Sequence, residues 1–76
     1  MSDDKLVEIF QIILDVDSSF DVRSVRRINE RRWDSLTHMS LISAIESEFG
    51  FTLDISEMER MTSFAAVRAL LTDKGL

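Results

Sequence analysis

The chain contains no cysteine, no proline and no tyrosine, and only two glycines and one histidine in 76 residues. Without cysteine there is neither a disulfide nor a thiolate metal site, and nothing beyond compatibility with a reducing cytosol can be read about redox compartment. A single histidine cannot build a zinc cage, and no metal site is expected. No apolar run approaches the ~20 residues that span a bilayer. The acidic start Met-Ser-Asp-Asp-Lys lacks a basic-then-apolar leader. The expectation is a cytoplasmic protein without membrane association. A domain this small, lacking disulfide and metal, depends on regular helix packing. The scarcity of helix breakers, with abundant Leu, Ile, Met, Ala and Glu, agrees with an all-α chain.

Basic residues are also few: 9 Lys and Arg against 14 Asp and Glu, for a net charge of −5. That balance argues against nucleic acid or an anionic membrane as a partner. The basic charge is concentrated, because Arg23, Arg26, Arg27, Arg31 and Arg32 fall within one eleven-residue stretch opposed only by Glu30. An acidic helical body with one basic connector results. The connector reads as a solvated segment offsetting its neighbours, or as a docking patch, with Arg31 and Arg32 as its key members.

Apolar periodicity marks the elements. From about Asp4 to Asp15, Leu6, Val7, Ile9, Phe10, Ile13 and Leu14 fall within roughly 160° at ~100° per residue, with Ile12 outside. Ser2, Asp3 and Asp4 are candidate caps. Residues 16–33 have no sustained period and read as a long loop with a turn near 23–28, anchored by Phe20, Val22, Val25 and Ile28. A second helix runs from Ser35 to about Phe49, stopped by Gly50. Met39, Leu41, Ile42, Ile45 and Phe49 form its inner face. The opposite side is a small, nearly uncharged strip of Leu36, Ser40, Ser43, Ala44 and Ser47. Phe51, Leu53 and Ile55 alternate through a connector, and Ser56-Glu57-Met58-Glu59 fits a capping box for a short helix near 56–61. Thr62 or Ser63 caps a last helix through about Thr72. One domain, 1–76 with a core of about 4–72, accounts for the chain.

Asp34-Ser35-Leu36 lies where the loop meets the second helix. Asp and Ser are ordinary N-caps. A serine there is also exposed, and a phosphate attached to it would face backbone N–H groups and the positive end of the helix dipole. His38, three residues on, raises the question of a Ser-His-Asp relay. Asp34 and Ser35 are sequence neighbours with awkward geometry for it, and no G-x-S-x-G elbow is present. His38 reads instead as a partly buried first-turn residue. Trp33 reads as a lid over Leu36 or the first helix, and Met39, Met58 and Met61 as core fillers. Glu57 and Glu59 read as the exposed side of the short helix.

Trp33-Asp34-Ser35-Leu36-Thr37-His38-Met39-Ser40-Leu41-Ile42, the ending Glu46-Ser47-Glu48-Phe49-Gly50, and Thr62-Ser63-Phe64 with Val67 and Leu70 together resemble the acyl carrier protein family. The resemblance covers the chain from about Leu6 to Leu71. It implies a four-helix bundle with a long first loop and a short third helix, and a carrier without catalytic residues of its own. Ser35 then matches the serine to which a phosphopantetheinyl transferase attaches 4'-phosphopantetheine from coenzyme A. The arm's thiol, absent from the polypeptide itself, carries acyl groups as thioesters. Asp34 matches the aspartate that assists this modification near the transferase's magnesium, and Leu36 the apolar residue contacted by partner enzymes.

Two features depart from carriers of general fatty-acid synthesis: Trp33 stands where glycine is common, and the exposed strip of the second helix is poor in acid. The resemblance therefore points to a discrete carrier of a specialised pathway, such as lipid or polyketide biosynthesis. It implies an acyl-loading ligase or transferase and downstream enzymes as partners, reading Leu36, Ser40, Ser43, Glu46, Ser47, Arg31 and Arg32. The Met1 start and four expected helices favour a free-standing protein, and a monomer is expected. An aminoacyl or peptidyl carrier, and a small helical adaptor without a prosthetic group, are the alternatives.

Overall fold

A computed structural model describes residues 3–75; Ser2, one of the candidate caps, lies outside them. Four α-helices follow in order, α1 Asp4–Leu14, α2 Ser35–Phe49, α3 Ile55–Glu59 and α4 Phe64–Asp73, with two 3₁₀ turns, Val22–Ser24 and Arg27–Asn29, between α1 and α2. The chain is all-α, and no strand occurs among the described residues.

The amphipathic pattern of α1 buries Leu6, Ile9, Phe10 and Leu14 and leaves Ile12 exposed. These meet Leu41, Ile42 and Ile45 of α2 and Phe64, Val67, Leu70 and Leu71 of α4 in one apolar cluster, with His38 of α2 buried as a polar residue. Phe10 is the hub. Its ring lies 5.4 Å from Trp33 and 5.0 Å from Phe64, both edge-on. Each such pair contributes about 0.5–1.5 kcal/mol beyond the area it buries, which ties the connector and α4 to α1.

The long loop is ordered by local and distant backbone bonds. Val22 and Val25 are buried anchors as expected, whereas Ile28 is 85% exposed. The 3₁₀ turn at Arg27–Asn29 has no helical period to align Ile28 with its neighbours, so the anchor expectation fails there. The loop is clipped to the start of α4: Arg27 N–H donates to the Thr62 carbonyl at 2.9 Å and Phe64 N–H to the Val25 carbonyl at 3.1 Å.

Termination follows the backbone chemistry. Gly50 ends α2 at φ 73°, a left-handed conformation that costs glycine nothing. Asp15 adopts the same conformation after α1 at φ 58°, less easily because it carries a Cβ.

The capping box of α3 is displaced from the expected one. Asp54, not Ser56, is the N-cap; its carboxylate accepts from Glu57 N–H at 2.8 Å while the Glu57 carboxylate accepts from Asp54 N–H at 3.0 Å. α3 therefore begins at Ile55. Glu57 is correspondingly not an exposed acid: its other oxygen pairs with Lys74 Nζ at 2.6 Å. That ion pair, first of all, holds its carboxyl below the ordinary 4.5. At α4 the cap is Ser63, whose hydroxyl accepts from Ala66 N–H at 2.9 Å.

Candidate functional site

Ser35 is the first residue of α2, a helix of 15 residues, and its side chain is exposed. The first intrahelical bond runs from His38 N–H to the Asp34 carbonyl at 2.8 Å. The N–H groups of Ser35, Leu36 and Thr37 thus stand outside the helical ladder, at the positive end of its dipole. Asp34 caps the helix by accepting from Thr37 N–H at 2.9 Å. Hydrogen bonds from Thr37, its backbone before its side chain, hold the Asp34 carboxyl below the ordinary 3.8. Ser35 thus projects from a fixed helix start with an ionised carboxylate beside it.

Leu36 is 79% exposed, one position after Ser35. Ser40, Ser43 and Ser47 are exposed with it, and Ala44 is half-buried. Met39 also belongs here. It is 54% exposed, not part of the inner face, because at ~100° per residue it lies about 110° from the centre of the buried arc and about 60° from Leu36. The result is an apolar pair, Leu36 and Met39, among serines.

Glu46 has a different setting. Its Oε2 accepts from Leu53 N–H at 2.7 Å, and its carbonyl accepts from Gly50 and Phe51 N–H. The side chain staples the end of α2 to the connector leading to α3. That bond, across seven residues, has no signature in the helical period.

The two arginines before the site differ from one another. Arg32 is tethered: Nη1 lies 3.3 Å from Glu30 Oε1, and its guanidinium stands 5.7 Å over the Phe20 ring. Arg31 is exposed.

Trp33 and His38, two residues before and three after Ser35, are buried. Trp33 is 2% exposed and packs on α1 through Phe10. Its indole N–H donates to His38 Nδ1 at 2.9 Å. His38 Nε2 is 3.0 Å from the Met58 carbonyl, so the ring is neutral with its proton on Nε2. Both ring nitrogens are engaged within the core and the Asp34 carboxylate is engaged by Thr37, so no Ser35–His38–Asp34 relay is assembled.

A shallow groove of about 510 Å³ adjoins this region, lined by Arg26, Arg27, Ile28, Trp33 and Thr62. Among the described residues no group of three or more His, Cys, Asp or Glu could hold a metal ion, and no helix is long and apolar enough to cross a membrane.

Comparison of the chain with protein-family models, curated proteins and solved structures returns no match.

Proposed function

We propose that this protein is an acyl carrier whose Ser35 holds a 4'-phosphopantetheine arm, in an acyl-carrier-like four-helix bundle serving a specialised biosynthetic pathway. The observation that carries the reading is the exposed Ser35 at the start of a long, well-capped helix, immediately followed by exposed Leu36. The resemblance around Asp34-Ser35-Leu36 gives that serine its role.

The residues present fit the group. The Ser35 hydroxyl is open to solvent, and a phosphodiester on it meets the N–H groups and positive dipole of the first turn of α2. When bound, the arm supplies a thiol that carries acyl groups as thioesters. The chain's own residues do the rest: Asp34 fixes the helix start and assists modification by a phosphopantetheinyl transferase using coenzyme A. Leu36, Met39, Ser40, Ser43 and Ser47, with Arg31, present the surface that loading and downstream enzymes read. Trp33 and His38 hold that surface rigid from beneath. No general base is required of the carrier.

Mass spectrometry after incubation with coenzyme A and a promiscuous phosphopantetheinyl transferase tests the reading. One added phosphopantetheine, lost in Ser35→Ala, is the expected result. An unmodified wild-type chain with several transferases would leave a helical adaptor as the better description.

A further inference from the structure

The chain pairs its cations thoroughly, with one local exception. Arg23 and Arg68 share Asp3, Arg32 holds Glu30, Arg60 meets Asp73, Lys74 meets Glu57, and Lys5 meets Glu8 and Glu48. Among the described residues Arg26, Arg27 and Arg31 have no ion-pair partner, in a chain whose net charge is −5. Two of these three, Arg26 and Arg27, line the same groove, together with Ile28, Trp33 and Thr62. Ile28 is the most exposed large apolar residue of the described chain at 85%. Glu30, the acid closest in sequence, is already held by Arg32.

The combination specifies a ligand class. Two unpaired guanidiniums select an anion, and arginine binds carboxylate in a bidentate fork. Ile28, exposed beside them, selects an apolar body next to it, and the buried Trp33 backs the groove. A concavity of about 510 Å³ suits a small molecule, whose sites span roughly 300–1,000 Å³. The floor is fixed, because Arg27 N–H is bonded to Thr62 across the loop, so binding orders little new backbone. Trp33 stands two residues before Ser35, a separation of at most about 7 Å along the chain.

Resting on the carrier reading above, we propose that this groove receives the free carboxylate end of the acyl group on the Ser35 arm, so that the protein's cargo is a dicarboxylic acyl group bound through one thioester. Tethering presents the carboxylate to Arg26 and Arg27 at an effective concentration in the millimolar range. A weak local site is thereby sufficient to hold the cargo.

The test compares two arms that differ by one carboxylate. The full chain is loaded from glutaryl-coenzyme A or pentanoyl-coenzyme A with a promiscuous phosphopantetheinyl transferase, and amide and indole NMR signals are recorded. The glutaryl arm is expected to shift the amides of Arg26, Arg27, Ile28 and Thr62 and the Trp33 indole N–H, and the pentanoyl arm to leave them in place. The Arg26→Gln/Arg27→Gln double variant should load equally and lose those shifts. Equal shifts from both arms, or shifts that persist in the double variant, would overturn the proposal. So would free coenzyme A moving the same signals of the unmodified chain where the glutaryl thioester of N-acetylcysteamine does not, since the groove would then serve the coenzyme. Failure to load from any coenzyme A thioester counts against the carrier reading instead. The N-acetylcysteamine titration then decides the groove alone: Arg-dependent shifts support a carboxylate site, and their absence rejects it.

Discussion

The indole N–H of Trp33 donates to Nδ1 of His38 at 2.9 Å, so a residue of the connector sets the tautomer of a residue in α2. The other nitrogen, Nε2, donates to the carbonyl of Met58 in α3. Three segments are joined through one neutral imidazole, three residues after Ser35 in α2.

Trp33→Phe keeps an aromatic ring and removes the donor, leaving Nδ1 buried without a partner. The expected loss is about 1–3 kcal/mol for the orphaned acceptor, measured by urea unfolding. Adding His38→Leu to Trp33→Phe should cost less than His38→Leu alone, because the pair acts as a unit. Strict additivity of the two substitutions would show that the bond contributes nothing.

The same imidazole predicts a pH dependence. Burial, the main cause, holds His38 below the ordinary 6.5; the bond to Met58 opposes the shift and the charge of Arg27 reinforces it. The unfolded chain therefore takes up the proton first as pH falls. The stabilisation is fully present above about pH 6.5 and is lost as pH drops from there through the folded value, with a slope of at most ~1.4 kcal/mol per pH unit for one proton. Unfolding free energies between about pH 7.5 and 5.5 should fall in wild type and stay flatter in His38→Gln. The depressed carboxylates Asp3, Asp17, Asp34 and Glu57 lose their contributions only at lower pH, as each falls through its own range. A histidine titrating at or above 6.5 by NMR would contradict the buried, neutral assignment.

Asp54→Ala should destabilise by about 0.5–2 kcal/mol, the usual worth of an N-cap. Ser56→Ala, at the cap position suggested by local sequence but the second residue of α3 in the structure, should stay within about 0.5 kcal/mol of wild type. Thermal or urea unfolding of the two variants separates the alternatives, and the reverse ranking would restore Ser56 as the cap.

Much of this architecture was legible before the structure. The 3.6-residue period located α1, α2 and α4, singled out Ile12 as outward-facing, and placed Gly50 at a stop. It also placed His38 near the apolar arc as a partly buried residue, and the structure buries it further. Its failures occur where the period is weak or the arc ends. Met39 lies on the flank of α2, outside the buried arc and as near to Leu36 as to the nearest buried position, so its apolar character alone misassigned it, and Ile28 lies in a 3₁₀ turn too short to carry a period. Asp54-Ile55-Ser56-Glu57-Met58-Glu59 contains two overlapping cap-to-acid spacings, and periodicity does not choose between them. In the structure Glu57, the acid of the Asp54 box, is also met by Lys74 from beyond α4. Glu46–Leu53, Asp3 with Arg23 and Arg68, and Trp33–His38 likewise depend on chain segments brought together only by folding. Ser35 was legible as an exposed helix start, whereas the groove of Arg26 and Arg27 requires the loop's path across Thr62.

That path has a mechanical consequence. The backbone clip between Val25–Arg27 and Thr62–Phe64 and the buried Trp33 indole pin the connector at two points, so the entropy of closing the loop is already lost in the free protein. Amides on both sides of the clip belong to one cooperative unit and should open together in hydrogen exchange. A load applied at Ser35 is therefore borne by α4, through the clipped connector, as well as by α2.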